Sequence, residues 1–87
     1  MKTEIQRAID GERVYGDGRW GTIEEHPHSI PGWILILERE LAEAKDAWLD
    51  GTENEALQEI LQVIAVGVAC LEQHGVPEED DSEWSEL

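Results

Sequence analysis

The sequence is short of cysteine and of basic residues, and each shortage excludes a class of protein. Its 87 residues include one cysteine, Cys70, so no disulfide can form within the chain. Cys70 lies in an apolar run and is interpreted as a small buried hydrophobic residue. Six basic residues against 21 acidic ones give a formal net charge of −15. That balance excludes a general basic face for nucleic acid.

The sequence also lacks the features of exported and membrane proteins. The first residues, Met1 to Glu4, have no apolar core of the kind found in signal peptides. No uninterrupted apolar run reaches the ~18–20 residues that a membrane-spanning helix needs. No repeat recurs at a fixed period. We therefore expect a soluble cytoplasmic protein without a membrane partner.

The chain length predicts one small domain and an acidic end. A domain of this size buries only about 60–65% of the surface of its unfolded chain, so oligomerisation is a common remedy. We assign residues 1–76 to a helical domain and residues 77–87 to a flexible C-terminal tail. The tail is mostly acidic. Trp84 is the one side chain of the tail that we expect could dock on a neighbour.

Hydrophobic spacing predicts an all-α protein that begins with a short helix and a long loop. Apolar residues from Ile5 to Ile9 predict a first helix over residues 3–13. The residues that break regular structure after it are Gly16, Gly18, Gly21 and Pro27. A loop is therefore predicted over residues 14–29. A loop of this length that carries aromatic and histidine side chains is typical of a functional segment.

Two longer helices should follow as antiparallel neighbours. The second is predicted from Pro31 to about Leu49, because proline favours the first turn of a helix. Its expected core stripe is Leu37, Leu41, Ala44 and Trp48. The third should begin after Thr52 with a capping box and end before Gly75, with a left-handed glycine cap. Its second half is apolar on nearly every side, which predicts an oligomer interface along this helix.

Two pairs of polar residues share the predicted helix contact. Glu40 and Glu43 lie three residues apart, as do Glu59 and Gln62, so each pair projects from one helix face between apolar residues. Carboxylates at close range repel one another. A Mg²⁺ or Mn²⁺ ion would convert that repulsion into coordination, because hard cations prefer oxygen ligands. The alternative is a solvated helix face, since glutamate is a good helix former.

The two pairs give the motif on which a family resemblance depends. Glu40-Leu41-Ala42-Glu43 followed by Glu59-Ile60-Leu61-Gln62 resembles the ExxE and ExxD motifs of the MazG-like all-α nucleoside triphosphate pyrophosphohydrolases, in particular small phage-type members. The segment from Glu12-Arg13 to Trp20-Gly21 and the segment His26 to Trp33 extend the resemblance over residues 3–75. Two positions depart from the pattern. Arg39 stands where many members have glutamate, and Gln62 replaces the final aspartate.

The resemblance implies hydrolysis of a nucleoside triphosphate to the monophosphate and pyrophosphate. Glu40, Glu43 and Glu59 would be the catalytic and metal-binding residues for Mg²⁺ or Mn²⁺. Gln62 would complete the metal site directly, through water, or by orienting a ligand. Metal ions that bridge phosphate oxygens neutralise developing charge and supply a water nucleophile at neutral pH.

Other residues are expected to bind the nucleotide. Trp20 is the candidate for stacking on the base, and its alternative is an aromatic residue that covers the core. Arg39 and Lys45 are candidates for phosphate contacts or for solvated salt bridges. His26 and His28 would recognise base or phosphate, or would order the loop. Metal binding by these histidines is not expected, because no further ligand lies at a typical spacing.

The resemblance also implies a homodimer or homotetramer in which neighbouring subunits share sites. One branch of the small members cleaves dGTP to dGMP in phages that replace adenine with 2-aminoadenine, so dGTP is a candidate substrate in host cytoplasm. The competing hypothesis is a non-enzymatic, acidic helical module that binds a basic protein. The net charge of −15 favours this second hypothesis, and the paired carboxylates in apolar surroundings favour the first.

Overall fold

The computed structural model describes residues 2–78 of the chain. This part folds into three helices, α1 (Glu4–Trp20), α2 (Ile30–Asp50) and α3 (Glu53–His74), and contains no strand. The predicted all-α class with three helices is therefore confirmed. The predicted acidic tail, with Trp84, lies outside the described residues from position 79 onward.

Helix α1 is longer than predicted. It continues through the glycines that were expected to break it and ends at Trp20, so the prediction of a loop from residue 14 is wrong. Each helical glycine costs about 1 kcal/mol relative to alanine. Contacts within α1 and with α3 offset that cost. Arg13 pairs with Asp17 at 3.1 Å and with Glu72 of α3 at 2.5 Å. Burial alone would lower the pKa of Arg13, but these two carboxylates raise it above its ordinary value.

The helix ends follow capping rules that the sequence carries. The hydroxyl of Ser29 caps α2, and the hydroxyl of Thr52 accepts a hydrogen bond from the Glu55 N–H at 3.1 Å. A full capping box with reciprocal bonds is present at Thr3, the N-cap of α1, where it was not predicted. Gly75 ends α3 with φ of 91° and ψ of 164°. The predicted glycine stop is confirmed, although its ψ is extended rather than left-handed helical.

Helix α3 packs against both α2 and α1. Trp33 in the first turns of α2 contacts Gln73 near the end of α3, so α2 and α3 run antiparallel as predicted. Among the described residues, those that are buried are Trp33, Ala44, Ala56, Ala65 and Ala69. The predicted stripe on α2 is partly wrong. Ala44 is buried, but Leu41 is 60% and Trp48 is 63% exposed, because they lie along an open groove at the edge of the contact between α2 and α3.

Much of the apolar surface of α3 stays uncovered in the protomer. Its exposed large apolar side chains are Leu57, Ile60, Ile64 and Leu71. By length and composition alone, α3 is also long and apolar enough to cross a membrane. The sequence argument excludes a continuous apolar run of ~18–20 residues, and Glu59 interrupts this stretch of α3, so the expectation of no membrane partner stays a prediction.

Candidate metal and nucleotide site

Three carboxylates lie side by side where α2 meets α3. One carboxylate oxygen from each of Glu40, Glu43 and Glu59 lies within 4.8 Å of the others, and these three residues are named the acidic cluster. Glu40 and Glu43 project from the same face of α2 because they are one turn apart. Antiparallel packing places Glu59 of α3 beside them. The structure therefore brings together the three carboxylates that the sequence motif singled out.

The surroundings of Glu40 in the acidic cluster disfavour its charged form. Burial raises the pKa of Glu40 above its ordinary value of 4.5, and the charge of Glu43 and a hydrogen bond with Glu43 raise it further. Arg39 lowers this pKa, and Glu59 adds a smaller rise. The Glu40 side chain is 13% exposed. A divalent cation would relieve the repulsion, and a set of carboxylate oxygens is the donor set that Mg²⁺ and Mn²⁺ prefer. The residues present therefore fit such an ion.

A cleft of about 500 Å³ adjoins the acidic cluster. All three helices and the connection over residues 21–29 contribute to its walls, and Glu40 belongs to both the cleft and the cluster. The sequence-predicted residues that line it are Trp20, His26, His28, Arg39, Glu40 and Gln62. Its volume lies within the ~300–1,000 Å³ of typical small-molecule sites. The arrangement can place a ligand of nucleotide size against Glu40 of the acidic cluster.

Trp20 forms part of the cleft wall at the end of α1. Its side chain is 57% exposed, so it is not a core residue of the protomer. The guanidinium carbon of Arg19 lies 5.0 Å from the centre of the Trp20 ring, and the Tyr15 ring meets it edge-on at 6.3 Å. A cation over an indole face is an attractive arrangement. These two contacts orient an exposed aromatic ring at the cleft.

A tight turn after α1 holds His26 on the cleft wall. Gly21 has φ of 91°, and a Cβ at this position would overlap the His26 ring. The Thr22 N–H donates to the Glu25 carboxylate at 3.0 Å, and the Glu25 N–H donates to the Thr22 hydroxyl at 3.3 Å. The backbone bond from Thr22 lowers the pKa of Glu25. The position of His26 therefore depends on glycine at residue 21.

Gln73 fixes the other side of the cleft, and the sequence reasoning missed it. Its Oε1 accepts hydrogen bonds from the His28 N–H and from the Trp33 indole N–H, each at 3.0 Å. Its Nε2 donates to the His28 carbonyl at 2.7 Å. The side-chain amide of Gln73 thus joins His28, before α2, and Trp33, in its first turn, to the end of α3. The local sequence carries no signal for this role, because the partners are at least 40 residues away.

The fourth predicted corner, Gln62, contacts a residue that was not predicted. Its Nε2 donates a hydrogen bond to the Glu12 carboxylate of α1, and both residues line the cleft. Sequence reasoning missed Glu12 because it placed the residue in a short helix of unknown position. The hydrogen bond between Glu12 and Gln62 joins residues that are 50 positions apart in the sequence, so only the tertiary structure shows it.

The two candidate phosphate ligands are placed differently. Arg39 lines the cleft and lies 3.7 Å from Glu40 as an ion pair. Lys45 instead lines a second groove on the other side of α2, together with Leu41, Trp48, Ala56 and Ile60. The sequence grouped Arg39 and Lys45 by nearness along the chain. Within one protomer the fold separates them, so a phosphate held beside Arg39 is not adjacent to Lys45.

Comparisons with protein-family models, with curated proteins and with solved structures give no match. The fold that the described residues establish is an all-α arrangement of three helices. Its distinctive site is a group of three acidic residues that could hold a metal ion, next to a cleft.

Proposed function

We propose that the protein hydrolyses a nucleoside or deoxynucleoside triphosphate to the monophosphate and pyrophosphate, as MazG-like enzymes do. One observation carries the proposal: the acidic cluster of Glu40, Glu43 and Glu59 borders a cleft of about 500 Å³. A triphosphate carries negative charge that three carboxylates would repel. Bound Mg²⁺ or Mn²⁺ would neutralise the repulsion between the triphosphate and the carboxylates and would supply a water nucleophile at neutral pH.

The chain itself would hold and orient the reactants. Glu40, Glu43 and Glu59 would bind the cation, with Gln62 as the fourth corner. Trp20 would stack on the base, since its ring is exposed and oriented at the cleft. Catalysis in such a site comes mainly from position and electrostatics, because phosphate chemistry needs little covalent help from the protein.

The polar wall of the cleft supplies the remaining contacts of the proposal. Arg39 and His28 would contact phosphate or base from their positions in the cleft. Arg39 is 68% exposed and pairs with a carboxylate of the acidic cluster, so it can turn toward a phosphate when a cation takes over that carboxylate. Lys45 has no place in a cleft built from one protomer and is left out of this set.

We further propose that the working unit is a homodimer or homotetramer. In the part of the chain that the structure describes, the buried core consists of one tryptophan and four alanines, while large side chains of α2 and α3 remain exposed. A second copy covers such a surface at lower cost than a bilayer, because α3 carries Glu59 within its apolar stretch and an ionised carboxylate in hydrocarbon is expensive. The cytoplasm of a phage-infected cell is the compartment that the resemblance indicates.

A substrate panel tests the activity. Purified protein is incubated with eight ribo- and deoxyribonucleoside triphosphates, with Mg²⁺ or Mn²⁺, and pyrophosphate release is measured. We expect release from at least one triphosphate, with dGTP as the first candidate. Absence of release with either ion from every substrate would overturn the proposal. Glu43→Gln should abolish release, and Asp46→Asn, an acid-to-amide change on the same helix outside the cluster, should not.

The competing function is a non-enzymatic acidic module that binds a basic partner, and the net charge of −15 is the observation that favours it. Thermal melting with and without Mn²⁺ separates the two. A cation that binds the folded state stabilises it by RT ln(1 + [L]/Kd), so the enzyme requires a clear rise in Tm. A purely acidic module predicts a small rise that is the same for wild type and for Glu43→Gln.

A further inference from the structure

A side-chain hydrogen bond joins helix α1 to Gln62, which lies one turn after Glu59 of the acidic cluster. Gln62 lies three residues after Glu59, so the two share a face of α3. The Nε2 of Gln62 donates to the carboxylate of Glu12, which is 50 residues away in the sequence. Glu12, Gln62 and Glu40 all line the same cleft. A carboxylate from α1 is therefore linked to the neighbourhood of the cluster by way of an amide on α3.

The chemistry of this pair fixes which end of the amide faces Glu12. An ionised carboxylate can only accept hydrogen bonds, so it selects the NH₂ group of Gln62. An isolated amide has no such preference and can turn either its NH₂ or its carbonyl toward a given neighbour. Both side chains are half-buried, which strengthens a hydrogen bond to a charged acceptor. The carbonyl oxygen Oε1 of Gln62 is thus the end left free of Glu12.

We propose that Glu12 is a positioning residue that orients Gln62 so that its carbonyl oxygen serves the cation held by the acidic cluster. The inference rests on the proposed function of that cluster. Glu12 acts through Gln62 and adds a negative charge behind a neutral ligand. An amide polarised by a carboxylate is a better oxygen donor than an amide alone, and outer-shell partners of this kind commonly control metal affinity. Helix α1 thereby contributes a residue, Glu12, to the surroundings of the metal site.

Titration of the whole chain with Mn²⁺ alone tests the role of Glu12 without use of activity. Bound Mn²⁺ is measured by electron paramagnetic resonance, and Tm is recorded with and without the ion. Glu12→Ala should weaken the apparent Mn²⁺ affinity about 10-fold, as the loss of an outer-shell partner typically does. Asp10→Ala is the matched control, because it removes one acidic charge from the same helix outside the cleft. It should leave the Mn²⁺ affinity unchanged.

A double variant separates positioning from a merely structural contribution. Glu12→Gln with Gln62→Glu exchanges the two side chains, so the amide now donates from α1 to a carboxylate at position 62. We expect this exchange to restore Mn²⁺ affinity to within about twofold of wild type or to exceed it, because carboxylates are preferred ligands. Affinity that stays as low as in Glu12→Ala, with a metal-free Tm equal to wild type, would overturn the proposal.

The outcome for Glu43→Gln distinguishes this inference from the proposed function. If Glu43→Gln binds Mn²⁺ as tightly as wild type does, the acidic cluster is not a cation site and both ideas fail. If Glu43→Gln loses the ion while Glu12→Ala retains full affinity, the cluster stands and only the role of Glu12 is overturned. If Glu12→Ala does not fold, the double variant is used to test the role of Glu12.

Discussion

The indole N–H of Trp33 donates a hydrogen bond to the side-chain oxygen of Gln73 at 3.0 Å, which joins the start of α2 to the end of α3. Trp33 is 7% exposed and is the largest buried side chain among residues 2–78. The same Gln73 oxygen also accepts the backbone N–H of His28. One amide on α3 therefore holds the core tryptophan and the cleft wall in a fixed relation.

Removal of that amide should destabilise the protein and loosen the cleft. Gln73→Ala leaves the Trp33 N–H and the His28 N–H without their partner, and an unsatisfied buried donor costs about 1–3 kcal/mol. Thermal or urea unfolding measures the change. Gln58→Ala, at an exposed position of the same helix, is the control and should change stability by no more than about 0.5 kcal/mol. Equal effects of the two substitutions would contradict the role assigned to Gln73.

The length of α1 can be tested by a glycine substitution. A Cβ at Gly18 meets no atom within 4 Å, so Gly18→Ala should stabilise the helix by about 0.5–1 kcal/mol. Gly21→Ala should destabilise by about 1–3 kcal/mol, because residue 21 has φ of 91° and its Cβ would overlap His26. Urea unfolding of both variants measures these opposite changes. If residue 18 lay in a loop, as the sequence predicted, Gly18→Ala would bring no helical gain.

The raised pKa of Glu40 predicts a dependence of stability on pH. The folded state binds this proton more tightly than the unfolded chain does. The stabilisation from Glu40 is therefore complete below its ordinary pKa of 4.5 and is lost as the pH rises through the raised pKa. Glu40→Gln mimics the protonated form. With a chelator present, it should raise the Tm at pH 7 by a few degrees.

The gain from Glu40→Gln should shrink as the pH falls below 4.5, where wild type is itself protonated at this site. Glu38→Gln, an exposed position on the same helix, is the matched control and should show little gain at either pH. In the presence of Mn²⁺ the order at pH 7 should reverse, because Glu40→Gln removes a cation ligand. A gain that is equally large at pH 4 and pH 7 would show that burial of charge is not its cause.

The proposed oligomer predicts the effect of a charge in the second groove. Trp48 is exposed in the protomer and lines an apolar groove with Leu41 and Ile60. Trp48→Asp should shift the protein toward the monomer, since an ionised carboxylate buried without a partner in an interface is costly. Light scattering after size exclusion measures the mass. Val14→Asp, at an exposed site on α1, should keep the assembly, and an unchanged mass for Trp48→Asp would exclude this groove from the interface.

The sequence determined the features that depend on neighbours along the chain. The all-α class, the bounds of α2 to within a residue or two, the Thr52 cap and the Gly75 stop follow from spacing and capping chemistry. The three carboxylates were also identified, because residues three apart on a helix share a face whatever surrounds it.

Tertiary structure decided what depends on residues far apart in the sequence. The glycines after residue 13 predicted an early end for α1, but the helix continues to Trp20, and Arg13 joins it to Glu72 of α3. The partners of Gln62 and Gln73 lie at least 40 residues away, so no local pattern could name them. The position of α3 determines which side of α2 is covered. With α3 packed as it is, Leu41 and Trp48 are exposed and Lys45 lies away from the cleft. Side-chain spacing fixes a helix face, and only packing fixes what that face meets.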